Sequence, residues 1–166
     1  MSDLKQLMLR EPRLTLAVAE SLTCGRLQAR IGAVSGASEF FLGGVTAYTL
    51  EQKVELLGVS LAEANAVNSV SAGVAEQMAR GACRLFGSDV AAATTGYAEP
   101  SAQWKIETPF AWWALARHEP GRGFAVKSGR VDCPGLSRVE VQERVAEAAY
   151  GALVDWVRAP AAARTP

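Results

Sequence analysis

Apolar positions along the chain change their period several times, and each change marks an element. Residues 3 to 10 read as a short amphipathic helix closed by "EPR", because Pro12 forbids its continuation. "RLTLAVAE" (13–20) is a mostly apolar run rich in Leu and Val, the pattern of a buried strand. From 24 to 34, Leu27, Ile31 and Val34 recur at helical spacing, with Arg26, Gln28 and Arg30 elsewhere around the axis. "GGVTAY" (43–48) reads as a second strand.

Helix starts of the S/T-x-x-E/Q type follow at Thr49 with Gln52, Ser60 with Glu63 and Ser137 with Glu140. Each is expected to satisfy orphan N–H groups reciprocally. The first helix ends at Gly58, the second covers about 61 to 66, and a longer one runs from Ser71 to Phe86. Its apolar stripe is Val74, Ala75, Met78, Ala82 and Leu85. "DVAAATT" (89–95) is the next strand. The segment 95–109 has turn chemistry and no clear period, so it reads as a long loop, the kind that carries function. "FAWWALAR" (110–117) and "GFAVKSGRVD" (123–132) form a hairpin across "HEPGR". The last helix, 138 to about 157, sets Val141, Val145, Ala148, Ala149, Ala152, Leu153 and Trp156 on one face.

Alternating strands and helices with one late hairpin predict an α/β fold: a three-layer α/β/α sandwich on a mixed, mostly parallel sheet. We expect a single domain over 1–166, with its core at 10–157 and a flexible tail at 158–166.

Composition narrows the function. The chain has 166 residues, 49% hydrophobic and 20% charged, and its 17 basic residues balance 17 acidic ones. No basic run supports nucleic-acid binding. No apolar run reaches the ~20 residues that span a bilayer, and no signal-peptide core is visible, so no membrane partner and a cytoplasmic location are expected. A net charge of zero gives little protection against self-association, which favours an oligomer. Cys24, Cys83 and Cys133 are odd in number and far apart, which argues against a disulfide framework. His118 is the one histidine and is expected in a turn, so neither a zinc cluster nor a Ser-His-Asp triad is expected.

Ligands of open α/β sheets collect beyond the carboxyl ends of the strands. Three such ends carry polar residues: "ES" at 20–21, "AYTLEQK" at 47–53 and "TTG" at 94–96. Ser21 opens a strand-to-helix turn, where the N–H groups of Leu22 to Gly25 can face a developing oxyanion. A serine needs a base. Tyr48 and Lys53 are the candidates, because N′ and N4 of a helix capped by Thr49 lie against each other. A phenol there is expected to sit against the lysine ammonium. The plain alternative is a packing tyrosine and a solvated lysine. Glu20 either orients the turn or suits a helix N-terminus. Thr94, Thr95 and Gly96 can line the same pocket. Cys24 is expected to be buried and inert, the alternative being a thiol of lowered pKa. Trp104, Trp112 and Trp113 are expected in the core or at an interface, although Trp104 can stack on a ring.

"LTLAVAESLTCGRL", "GGVTAYTLEQKVELLGV", "VSAGVAEQMARGA" and "DVAAATTGYAEP" together resemble the CinA C-terminal domain family over residues 10 to 157. That family includes nicotinamide mononucleotide deamidases, which hydrolyse a pyridine carboxamide to the carboxylate and ammonia. The resemblance implies the same sandwich fold, no metal, no cofactor and a homodimer. The family's nucleophile lies in E-S-C-T-G-G, matching Ser21, and its Y-x4-K element matches Tyr48 and Lys53. It therefore implies a catalytic set of Ser21, Tyr48 and Lys53, with Glu20, Thr23, Gly25, Thr95 and Gly96 binding a small-molecule amide. The chain departs from the family pattern at Leu22, Cys24 and Glu99, which stand where the family carries cysteine, glycine and glycine. The glycine run of the substrate loop is missing, and "CPGLSR" lies near the place of a late G-D-R element. A carboxylate at Glu99 is expected to repel a phosphate. A paralogue acting on another, phosphate-free amide or ester, and a silent binding or regulatory protein, are the rival readings.

Overall fold

Strand β1 (Leu16–Glu20) has no exposed residue, and its alternation decides the layers. Leu16 and Val18 pack into one hydrophobic cluster, Ala17 and Ala19 into another. A strand with helices on both faces needs apolar side chains in both directions, hence the near-continuous run in the sequence.

A computed structural model describes residues 4–159. Before β1 comes α1 (Leu4–Leu9). After it come α2 (Arg26–Gly32), a 3₁₀ turn at Ala37–Glu39, β2 (Phe41–Thr46), α3 (Leu50–Leu57), α4 (Leu61–Ala66) and α5 (Ala72–Phe86). The chain continues through β3 (Val90–Tyr97), β4 (Phe110–Glu119), β5 (Gly123–Asp132) and α6 (Arg138–Arg158). The sheet order is β2-β1-β3-β4-β5. β1 runs parallel to both β2 and β3, while β3–β4 and β4–β5 are antiparallel. Only β4 is reversed. The fold is the mixed, mostly parallel sheet between helix layers that the sequence pattern predicts.

The layers differ in thickness. On one face, Leu4 and Met8 of α1, Leu27 and Ile31 of α2, and Leu153 of α6 meet Leu16, Val18 and Leu115. On the other, the sheet offers Ala17, Ala19, Ala91, Ala93, Ala114 and Ala116 to α5. Methyl-sized side chains let α5 sit close to the strands, and α5 answers with Ala75, Ala79 and Ala82.

Several boundaries differ from the sequence pattern. Leu4 and Met8 are fully buried, so the core begins before residue 10; an amphipathic helix of six residues is ordered by what it packs on. β2 begins at Phe41 and ends at Thr46, leaving Tyr48 in the connection to α3. β3 continues to Tyr97, because Thr95, Gly96 and Tyr97 pair with Trp112, Ala111 and Phe110. His118 is on β4, edge-on to Phe124, rather than in the turn. Leu85 is 47% exposed, since the stripe of α5 passes to Cys83 and Phe86 in its last turn. α6 holds Arg158, which pairs with Asp155 at 3.1 Å; the rest of the expected tail, 160–166, lies outside the described residues.

The caps are only partly reciprocal. Thr49, Ser60 and Ser71 each accept from the N–H three residues on, at 3.4, 3.4 and 3.1 Å. The Ser60 N–H donates to Gln77 Oε1 instead of to Glu63. Glu140 is the residue that reaches back, accepting the N–H and hydroxyl of Ser137 at 2.8 and 2.6 Å. Tertiary partners thus compete with the box.

Candidate functional site

The site begins where β1 stops. Glu20 pairs with Thr46 on one side and Thr94 on the other, and the Ser21 N–H still bonds the Thr94 carbonyl at 3.0 Å. The sheet therefore holds Ser21 one step beyond the strand, 6% exposed. Glu20 points the other way. Its fully buried carboxylate accepts the N–H groups of Gly25, Leu27 and Gln28 at 3.1, 3.1 and 2.8 Å. Those are orphan donors at the start of α2, and an anion suits that end of a helix. Cys24 and Gly25 take left-handed φ of 49° and 94° to make the turn, with Gly25 as N-cap.

In front of Ser21 lies a cavity of about 460 Å³, within the range of small-molecule sites. Ser21, Tyr48, Lys53, Thr95 and Gly96 all line it. Glu20, Thr23 and Gly25 do not. Thr23 is buried against Thr94, their hydroxyls 2.7 Å apart, and Glu20 and Gly25 bond each other at the helix start. These three expected binding residues build the wall from behind. Thr95 donates to the Ser69 carbonyl at 2.7 Å. Gly96 is small for a packing reason: a Cβ there would lie 2.5 Å from the Cα of Ala111 on β4.

Lys53 is 3% exposed, and burial pulls its amine down to about 8. A charged amine loses more hydration in such a place than one carbonyl returns. Its ammonium donates to the backbone carbonyl of Tyr48 at 3.1 Å; among the described residues it forms no ion pair, and the nearby Glu51 carboxylate only partly offsets the burial. The expected contact with the phenol is not made. N′ and N4 do lie against each other, but the main chain of Tyr48 meets the lysine while its side chain, 46% exposed, accepts from Arg138 Nη2 at 2.6 Å. The Ser21 hydroxyl bonds no protein group among the described residues. The N–H groups of Leu22 and Thr23 likewise take no part in the internal bonds of the turn, whose Cys24 N–H returns to the Ser21 carbonyl.

Residues that pattern reading missed close the cavity. Asn68 and Ser69 have positive φ of 48° and 61°, and Asn68 Nδ2 donates to the Tyr97 hydroxyl at 2.9 Å. Non-glycine residues in that region mark a strained loop next to a site. Arg138, the first residue of α6, reaches Glu99 at 2.9 Å. Its signal was the arginine of "CPGLSR", near the family's late element. Asn68 and Tyr97 had none, since a loop 29 residues away in sequence decides their meeting.

The segment after β3 is less loose than its composition predicts. Ser101 and Ile106 exchange two N–H···O bonds of 2.9 Å, with Lys105 at φ 55° inside the turn. Trp104 thus stands at the cavity edge, 47% exposed, rather than in the core. Cys24 is also exposed, correcting the buried thiol expected there, because the left-handed turn aims its side chain outward. Cys83 and Cys133 are buried, and burial raises both thiols, Cys83 to about 11. Among the described residues, no group of three or more His, Cys, Asp or Glu side chains is placed to hold a metal ion. None of their helices is long and apolar enough to cross a membrane.

Fold and cavity define an α/β sandwich protein with a ligand-sized site at the carboxyl ends of its parallel strands. The chain belongs to the CinA family: the CinA C-terminal domain pattern matches residues 1–157. A CinA-like protein of Picosynechococcus is 50% identical over 93 residues, 56% of this chain and 22% of that protein. One from Geobacter is 43% identical over 121 residues, 73% and 29% of the two. The chain therefore corresponds to well under half the length of these relatives. A competence-damaged protein (CinA) superfamily structure from Escherichia coli superposes with a TM-score of 0.78 at 28% identity, covering 92% of this chain and 86% of that one. Competence damage-inducible protein A from Klebsiella pneumoniae gives 0.77 at 28%, covering 93% and 91%.

Proposed function

We propose that this chain is an amidohydrolase of the nicotinamide mononucleotide deamidase type, which cleaves a pyridine carboxamide to the carboxylate and ammonia. What supports the reading is one juxtaposition: a serine hydroxyl and a buried lysine amine, neither of them hydrogen-bonded or ion-paired to another side chain among the described residues, line the same cavity.

The chemistry follows from those groups. With its pKa near 8, roughly a tenth of Lys53 is neutral at pH 7, enough to accept a proton. Ser21 Oγ attacks the carboxamide carbon and gives its proton to the Lys53 amine. The oxyanion is met by the N–H of Leu22, a residue of the cavity lining that the turn leaves free to donate. The C–N bond breaks as Lys53 returns the proton to the leaving nitrogen, and ammonia departs. Water, deprotonated by the same amine, then releases the carboxylate from Ser21. Tyr48 holds Lys53 by its carbonyl and frames the mouth with its ring; the proton work falls to the lysine.

Unpaired Cys24, Cys83 and Cys133 suit a reducing compartment, and we place the protein in the cytoplasm. The test is ammonia release from nicotinamide mononucleotide and a small panel of pyridine amides. Release from at least one is expected; none from any of them at high enzyme concentration would overturn the reading.

A further inference from the structure

The cavity carries an uneven set of charges. Lys53 and Arg138 are the cations in its lining, and Glu99 is the acid. Lys53 is buried, whereas Arg138 stands at the mouth with its side chain 44% exposed. Arg138 brings a cationic guanidinium, a planar fork of N–H donors, to the mouth of the site. That charge is already engaged. Nη1 donates to the Glu99 carboxylate at 2.9 Å and Nη2 to the Tyr48 hydroxyl at 2.6 Å.

An exposed ion pair is weak by itself. What matters is what a phosphate would meet. It must share the guanidinium with a carboxylate or displace that carboxylate, and the lining offers Glu99 no second cation at the mouth. Glu99 also precedes Pro100, which restricts its backbone and leaves only side-chain rotation as an escape. The Glu99 side chain is 61% exposed, so the two anions compete for one guanidinium, and such competition is a repulsive element of specificity. Meanwhile, the Trp104 indole and the Tyr48 ring, both about half exposed at the edge, offer π faces that suit a cationic ring.

We propose that Glu99 is the specificity-determining residue of this cavity: by occupying Arg138 it selects a pyridine nucleoside carboxamide over its phosphorylated counterpart. The inference rests on the amidohydrolase reading and names its substrate class.

The experiment compares nicotinamide riboside with nicotinamide mononucleotide, in wild type and in Glu99→Gln. Ammonia release gives kcat/KM. Calorimetric binding to Ser21→Ala, with and without Glu99→Gln, gives an affinity that needs no turnover. Wild type is expected to favour the riboside by about tenfold or more, and Glu99→Gln to shift the mononucleotide-to-riboside ratio towards the mononucleotide by about tenfold. The affinities should shift in the same pattern. A wild-type preference for the mononucleotide, or a ratio unmoved by Glu99→Gln, overturns the proposal. If neither compound releases ammonia, the amidohydrolase reading loses support while the affinity ratio still decides on Glu99. Failure of both compounds to bind overturns the proposal as well.

Discussion

The ammonium of Lys53 donates to the main-chain carbonyl of Tyr48 at 3.1 Å, while the phenol of the same tyrosine accepts from Arg138. One residue thus serves two purposes: its backbone holds Lys53, and its side chain belongs to the mouth. Lys53 is left as a buried cation with one carbonyl acceptor and only a partial offset from the Glu51 carboxylate, which is costly for folding and, on the proposed mechanism, useful for proton transfer.

The pH dependence of turnover follows from that burial. On the proposed mechanism the neutral amine is the active form, so kcat/KM should rise with pH and level off above about 8, where the Lys53 amine titrates. Lys53→Met should lower it by about a hundredfold or more. Ammonia release measured from about pH 6 to about pH 10 checks both.

Stability should also rise with pH, while the substitution of Lys53 should move it the opposite way to activity. The folded pKa of Lys53, about 8, lies below its ordinary 10.5, so the unfolded chain binds more protons between those values. Stability therefore rises with pH across that window, and the burial cost, about 3 kcal/mol at most, is fully present below it. Lys53→Met should be more stable than wild type at pH 7 by about 1–3 kcal/mol, with the gap narrowing towards pH 10. Urea unfolding of both proteins at the two pH values measures this.

Glu20 should prove structural. Its carboxylate accepts three N–H groups at the start of α2, and Glu20→Gln replaces one oxygen by a donor facing those donors. A loss of about 2 kcal/mol is expected from equilibrium unfolding. Turnover should fall too, because the same turn presents Ser21.

Glu20 also shows how far the sequence could be read. That β1 ends on a carboxylate and a hydroxyl was plain from "AVAES", and the parity of a strand sends neighbours to opposite faces. Which face held the ligand was not legible, so Glu20 read equally as a pocket residue and as a helix-terminus charge. The elements themselves were clear, because both periods are strong and Gly58 and Gly87 close α3 and α5 with left-handed φ of 65°. The meeting of Lys53 with Tyr48 was visible in helix-start geometry, but the partner atom was not. Side-chain choice at Tyr48 depends on Arg138, 90 residues away. Glu99 read as an isolated repulsive charge for the same reason: its partner arrives on the last helix.

The most direct measurement is ammonia release by Ser21→Ala beside its unfolding midpoint, using whichever pyridine carboxamide the wild type turns over fastest. Among the described residues the Ser21 hydroxyl has no partner to lose, so folding free energy should stay within about 0.5 kcal/mol of wild type. Turnover should drop by about 10⁴-fold or more, as for loss of a nucleophile. A folded Ser21→Ala protein that still releases ammonia within about tenfold of the wild-type rate would contradict the account.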